Sequence, residues 1–366
     1  MAGDTGESVQ EIRFARSADG VGIAYAVHGS GPPLLIDGCW LSHLQHDWRS
    51  PVWRHYLVEL GRIATVIRYD ERGHGLSDRG VTDHSLEARV ADLEAVADDA
   101  RLDRFALLAM AQGGPVALEY AARHPHRVTR LALYGSYAAV LGEGSSVEEQ
   151  ELDAAFQALI RVGWERPTPE FRRVFTSLMI PGATETQMQW LDELQRMATD
   201  AETALLAREQ RQHADSRHRL PQLQLPTLVL HSRDDQMNGF EHSRYLAAHL
   251  PRARLVALES RNHIVLADEP AWPVLLRELT EFLAADHTAN VTRPSSGSDD
   301  LTGVLSAREL DVLTHAARGL DNTEIAATLV LSVRTVERHL QNAYVKLGLQ
   351  GRTARTAAVA RLLAGS

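Results

Sequence analysis

The sequence predicts a mostly parallel α/β sheet with a helical insertion, followed by a small all-helical domain. Three observations carry this. Short apolar runs alternate with helical patterns through most of the first 285 residues, a block at 146–213 is helical alone, and a polar break at 286–303 precedes a purely helical tail.

The expected strands are 21–29, 33–38, 64–70, 105–111, 130–136, 226–232 and 253–260. The inner ones, such as FALLAMA and PTLVLHS, are continuous apolar runs, the pattern of a parallel sheet buried on both faces. Helical stretches at 85–100 and 114–123 fall between them and make the pattern doubly wound.

The inserted block extends from about 137 to 217 as a cap. Its start signals are Ser146 with Glu149, Thr168-Pro169, and Thr184 with Gln187. Trp164, Phe171, Phe175, Met179, Met188, Trp190 and Met197 are spread through it. Most are expected to hold the helices to the sheet, and two or three to touch a ligand beneath them.

The break DHTANVTRPSSGSDDLTG is rich in Pro, Gly and Ser and lacks hydrophobic period, which is linker composition. The expected domains are therefore 1–285, the linker 286–303, and 304–366. In the last of these, Ser306 with Glu309 starts a helix that Gly319 stops. A short helix at 322–329 and a capped one at 333–347 follow, with Ser332 as the cap. Val336, Leu340, Tyr344 and Leu347 form one apolar stripe, with Arg334, Glu337, Arg338 and Gln341 opposite. Two helices joined by a tight turn, the second polar and basic in front, have the geometry that enters a DNA major groove.

Length and composition agree. A chain of 366 residues with 44% apolar side chains suits one large and one small domain, and no run approaches the ~18–20 apolar residues of a membrane span. The start MAGDTGESVQ has neither the basic nor the apolar region of a signal peptide. The single cysteine, Cys39, fits a reducing cytoplasm. Net charge is −10, yet residues 332–361 hold six basic groups against one acid, Glu337, a local reversal expected of a DNA-contacting segment. Neither a cofactor nor a metal is expected.

The tail strongly resembles the LuxR-type DNA-binding domain. The marks are Leu305-Ser306-x-Arg308-Glu309, Gly319, Asn322-x-Glu324-Ile325-Ala326, Ser332-x-x-Thr335-Val336-x-x-His339 and Lys346-Leu347-Gly348. The resemblance implies that 333–347 is the recognition helix, with Glu337, Arg338 and Gln341 at base edges. Arg334, Thr335, His339 and Lys346 would meet phosphates. A fourth helix at about 353–363 resembles the family's dimer helix and implies a homodimer on an inverted-repeat operator.

Residues 11–285 resemble the α/β-hydrolase superfamily. Tyr69 to Asp78, YDERGHGLSD, matches the family's loop after a strand and is read as mostly structural. The family places its nucleophile at a Gly-x-Ser-x-Gly elbow, where a strand turns sharply into a helix. Here that stretch is Ala109-Met110-Ala111-Gln112-Gly113-Gly114, so the glycines that let helix and sheet approach are kept and the hydroxyl is gone. Asp235 matches the acid, with Asp234 adjacent, and His263 matches the base.

Asp37-Gly38 stands where relatives often have His-Gly, so the first oxyanion loop is altered too. Amides of Cys39 or Trp40, with that of Gln112, would then hold a ligand's carbonyl or carboxylate. Cys39 follows the wrong strand to replace the serine. The expected pocket is Asp37, Cys39, Trp40, Met110, Ala111, Gln112 and His263. The reading is a ligand-responsive transcriptional regulator, with a small-molecule effector and no intact catalytic site. Two alternatives stay open: a working hydrolase that cleaves an ester or lactone effector, represented here by a Ser→Ala variant, or a sensor of a protein partner.

Overall fold

The structure, a computed structural model, describes residues 9–38, 40–140, 147–284, 307–317, 320–329, 331–347, Leu349 and Ala358. They form two compact units, Met1–Asp286 and His287–Ser366.

The first unit is built on an eight-stranded sheet. Its strands are β1 (Glu11–Arg16), β2 (Gly22–Gly29), β3 (Pro33–Asp37), β4 (Thr65–Tyr69), β5 (Phe105–Met110), β6 (Val128–Tyr134), β7 (Thr227–Ser232) and β8 (Ala253–Leu258). Their order across the sheet is β1-β2-β4-β3-β5-β6-β7-β8. β2 runs antiparallel to both its neighbours, β1 and β4, and all other neighbouring pairs are parallel. The seven expected strands are present. β1 was not expected, because EIRFAR is an exposed edge strand with little apolar signal.

Helices α1 (Leu44–Asp47), α2 (Arg54–Ile63), α3 (Leu86–Asp99) and α4 (Gly113–Arg123) follow the early strands. The cap is α5 (Val147–Gly163), α6 (Glu170–Met179), α7 (Glu185–Ala198) and α8 (Ala201–Gln212). α9 (Phe240–His249) and α10 (Ala271–Ala284) complete the unit. Thr184 and Gln187 make the expected capping box on α7. Thr168 does not cap α6: Pro169 takes the N-cap position without a side-chain hydrogen bond. Ser146 lies outside the described residues.

Strand alternation sorts the core into two layers. Ile36, Leu108 and Met110 face α2 and the cap, together with Trp164, Phe175 and Met179. Leu35, Tyr69 and Ala109 face the opposite side, with the apolar residues of α3 and α4. β3 is hydrogen-bonded to β4 on one side and β5 on the other, so the chain winds both ways from it. The carboxyl ends of β3 and β5 therefore flank the crevice where open α/β sheets place their sites.

The second unit holds α11 (Ala307–Ala317), α12 (Asn322–Leu329) and α13 (Val333–Lys346) around Val312, Leu313, Ile325, Val336, Leu340 and Ala343. Ser332 Oγ accepts from Thr335 N at 3.1 Å, the expected cap of α13. Asp321 caps α12, its Oδ1 accepting from Thr323 N and Glu324 N. Ser306, Gly319, Gly348 and most of the expected fourth helix lie outside the described residues. Among the described residues no helix is long and apolar enough to cross a membrane.

Candidate functional site

β5 ends at Met110 and α4 begins at Gly113, so the chain reverses direction within two residues. Ala111 takes φ +46° to do this, a left-handed backbone that costs a residue with a Cβ ~1–3 kcal/mol. The turn is held from both sides: Ala111 N donates to Tyr134 O at 3.0 Å, and Ser136 Oγ donates to Ala111 O at 2.6 Å. A side chain at Gly114 would collide with Ser136 Oγ and the Tyr137 carbonyl, which explains the glycine.

The loops after β7 and β8 bring the other two expected residues together. His263 Nδ1 lies 2.6 Å from Asp235 Oδ2, and both side chains are buried. Asp235 Oδ1 accepts from the amides of Met237 and Asn238. His231 Nε2 stands 3.2 Å from the same Oδ2. Burial alone would raise the Asp235 carboxyl, but His263, His231 and these hydrogen bonds hold it well below the usual carboxylate range. Asp235 is thus the acid facing His263. The His263 loop is pinned by Tyr134, whose hydroxyl donates to His263 O at 2.7 Å and accepts from Val265 N. The cap contributes as well, because Met179 O accepts from His263 N at 2.8 Å.

Ala111, Gln112, Trp40 and His263 line one cavity of about 190 Å³. Tyr137, Phe156, Met179 and Arg211 also face it. Trp40 packs against Trp164 and Phe175, which support the cap rather than line the cavity. Cys39 lies outside the described residues.

Two expected pocket residues are elsewhere. Met110 points to the α2 side of the sheet and lines a separate cavity of about 60 Å³. Asp37 pairs in register with Ala109 and so faces α3 and α4, tucked against Gly113. The cause is the pleat: it sends Met110 to the α2 face and Asp37, beside Ala109, to the α3–α4 face, whereas Ala111 stands beyond the end of β5. Asp37 is fully buried, and neither carboxyl oxygen meets a partner in hydrogen-bonding geometry, although Tyr69 and Arg89 stand near. Burial pushes its carboxyl up to about 7.

Sequence reasoning missed a buried network on the loop it read as mostly structural. Glu71 accepts from Arg89 Nη2 at 2.7 Å, from Gln112 Nε2 at 2.9 Å, and from Arg211 Nη2 of α8 at 2.5 Å. Burial opposes ionisation of Glu71, but Arg211 and Arg89 hold its carboxyl well below the usual range. The available signal was Arg208 and Arg211, three residues apart on one face of α8. Among the described residues no cluster of His, Cys, Asp and Glu could hold a metal ion.

On α13, Glu337, Arg338 and Gln341 are exposed, as is Asn342, which the sequence reading omitted. Thr335 and His339 are half-buried, and Thr335 Oγ1 is hydrogen-bonded to Ser332 Oγ. The side chain of Arg334 lies outside the described residues. Lys346 is exposed and is ion-paired within the unit. Its Nζ donates to Glu309 Oε2 at 2.7 Å, giving a buried carboxylate on α11 its counter-charge.

Comparison with known proteins agrees with this architecture. Residues 55–270 match the family of serine aminopeptidase, S33, and residues 303–359 match the bacterial regulatory proteins of the luxR family. The chain belongs to the α/β-hydrolase superfamily and ends in a luxR-family DNA-binding domain. The chain is 29% identical to a 2-hydroxy-6-oxo-2,4-heptadienoate hydrolase of Pseudomonas putida, over 71% of its own length and 88% of that protein. It is 31% identical to a pimeloyl-[acyl-carrier protein] methyl ester esterase of Neisseria meningitidis, over 65% of its own chain and 93% of that one. In fold it is similar to an esterase from a Rhodococcus species, with TM-score 0.62 at 23% identity, covering 75% of this chain and 98% of the esterase.

The position of Asp37 has a measurable consequence. Its carboxyl titrates near 7 in the folded protein against an ordinary 3.8, so its contribution to stability is present below about pH 4 and lost as pH rises to about 7. Asp37→Asn should therefore gain stability relative to the unchanged protein between pH 4 and pH 8, read as urea midpoints. A difference that stays constant, or moves the other way, contradicts the burial of an unpaired carboxyl there.

Proposed function

We propose that the protein is a one-component transcriptional regulator whose hydrolase-like domain binds a small molecule without turning it over. The observation that carries this is Ala111. The elbow keeps its strained backbone, and the acid–base pair beside it keeps its hydrogen bond, but the residue at the apex has no group that can attack a carbonyl. A site that retains costly geometry without its nucleophile is suited to holding a ligand. Relatives named as hydrolases and esterases support a carbonyl-bearing ligand class.

In this reading Trp40, Ala111, Gln112 and His263 form the binding end of the cavity. The Gln112 amide at the start of α4 would donate to a ligand oxygen where an active relative stabilises an oxyanion. His263, oriented by Asp235, would offer Nε2 as a second polar contact. Occupancy shifts the arrangement of two luxR-family domains, paired as a homodimer on an inverted repeat, and so changes operator affinity. Glu337, Arg338 and Gln341 read base edges, with Thr335 and His339 nearer the phosphates.

Two outcomes test the two halves of the proposal. Loss of one triad member costs serine hydrolases roughly 10⁴–10⁶ in turnover, so the unchanged protein should show no measurable hydrolysis of a short-chain chromogenic ester. Ala111→Ser should recover slow hydrolysis, and adding His263→Ala should remove it. Substantial turnover by the unchanged protein would overturn the binding-only reading. For DNA, Arg338→Ala should cost ~1–3 kcal/mol and relax selectivity at one base position of a selected operator. Unaltered affinity and selectivity in a titration would mean that α13 meets DNA through a different face.

A further inference from the structure

The wall of the elbow cavity holds a cation that the protein itself satisfies only in part. Arg211 lines the cavity and is 7% exposed. Its Nη2 donates to Glu71 Oε2, but its Nε has no acceptor. Glu71 cannot match it alone, because the same carboxylate also receives Arg89 and Gln112. Two buried guanidiniums therefore share one carboxylate, and the Nε of Arg89 also lacks an acceptor.

Other nearby groups do not restore the balance. Asp37, the next acid, has its carboxyl raised to about 7 by burial and so supplies only part of a charge at neutral pH. His74 is pushed down to about 3 by burial and is uncharged. Arg208, also in the cavity wall, is already matched by Asp153, its Nε donating to Oδ1 at 2.8 Å. Around Glu71, two guanidiniums thus face one full carboxylate and part of another, at a place in the wall from which water is largely excluded. Buried charge of this kind is costly until an opposite charge reaches it.

Resting on the reading of this cavity as the ligand site, we infer that its ligand is a small organic anion whose carboxylate or equivalent group is received by Arg211. The body of such a ligand would lie along Trp40, Phe156 and Met179, which give the cavity its apolar side. The contact also has a mechanical side. Arg211 belongs to the cap helix α8, and Glu71 connects it to Gln112 at the elbow. An anion on Arg211 competes with Glu71 and changes how the cap is tied to the sheet.

The test uses the full-length protein and two probes of the same shape, hexanoate and hexanamide, titrated at pH 7.5 and followed by ligand-observed NMR. Charge-assisted hydrogen bonds favour the acid by about tenfold or more, so hexanoate should bind at least that much more tightly. Arg211→Gln should erase the preference, and Arg211→Lys, which keeps the charge beside Glu71, should retain part of it. Equal or tighter binding of hexanamide overturns the inference, as does a preference that survives in Arg211→Gln, or hexanoate that fails to bind at millimolar concentration. Should Arg211→Gln fail to fold, the comparison of probes on the unchanged protein and on Arg211→Lys still decides. Ala111→Trp separates the two levels. If it excludes both probes while neither is preferred, the cavity remains the ligand site and only the anion assignment falls. If it excludes neither, the cavity reading falls as well.

Discussion

The turn at Ala111 sets the position of nearly everything around it. A parallel strand buried on both faces must pass into a helix that packs back on the same sheet, and two residues are all the chain allows for the reversal. One residue takes a left-handed backbone, glycine at 114 makes room for Ser136 and Tyr137, and Tyr134 and Ser136 fix the turn by hydrogen bonds. Tyr134 also holds the loop that carries His263. The elbow and the acid–base pair are thus positioned by the same short piece of β6, and the site geometry survives without the hydroxyl it ordinarily serves.

A second constraint ties the cap to that turn. Glu71 on the loop after β4 gathers Arg89 from α3, Gln112 from the elbow and Arg211 from α8. Met179 at the end of α6 meets the amide of His263. Both contacts run from the cap to residues lining the cavity, so an occupant of the cavity touches the elements whose movement it would have to bias. Coupling of this kind requires only that occupant and protein prefer one arrangement by a few kcal/mol.

The sheet was legible because its strands are continuous apolar runs. Helices α12 and α13 were legible because the Ser332 cap and the apolar stripe fall at helical spacing. Asp235 and His263 were legible because their place in the chain follows the family pattern. What the sequence hid was side-chain direction and partnership. Asp37 and Met110 are near Ala111 in the chain or sheet, but pleating turns both away from the cavity. The ion pair of Lys346 with the buried Glu309, thirty-seven positions away, was likewise not legible. β1 lacked an apolar run because one face of it is solvated, and the role of Arg211 depends on a partner 140 positions distant. Long-range pairing of this kind leaves no local periodicity to read.

The central claim is that occupancy of the elbow cavity controls DNA affinity, and operator binding measures it most directly. A small molecule that raises the thermal midpoint of the full-length protein would be titrated against a fluorescent operator, with the unchanged protein and with Ala111→Trp. The account predicts that operator affinity of the unchanged protein shifts by roughly 5–150-fold on saturation, while the Trp variant binds operator but ignores the ligand. Operator affinity that stays the same when the ligand is bound, or shifts equally in both proteins, would contradict it.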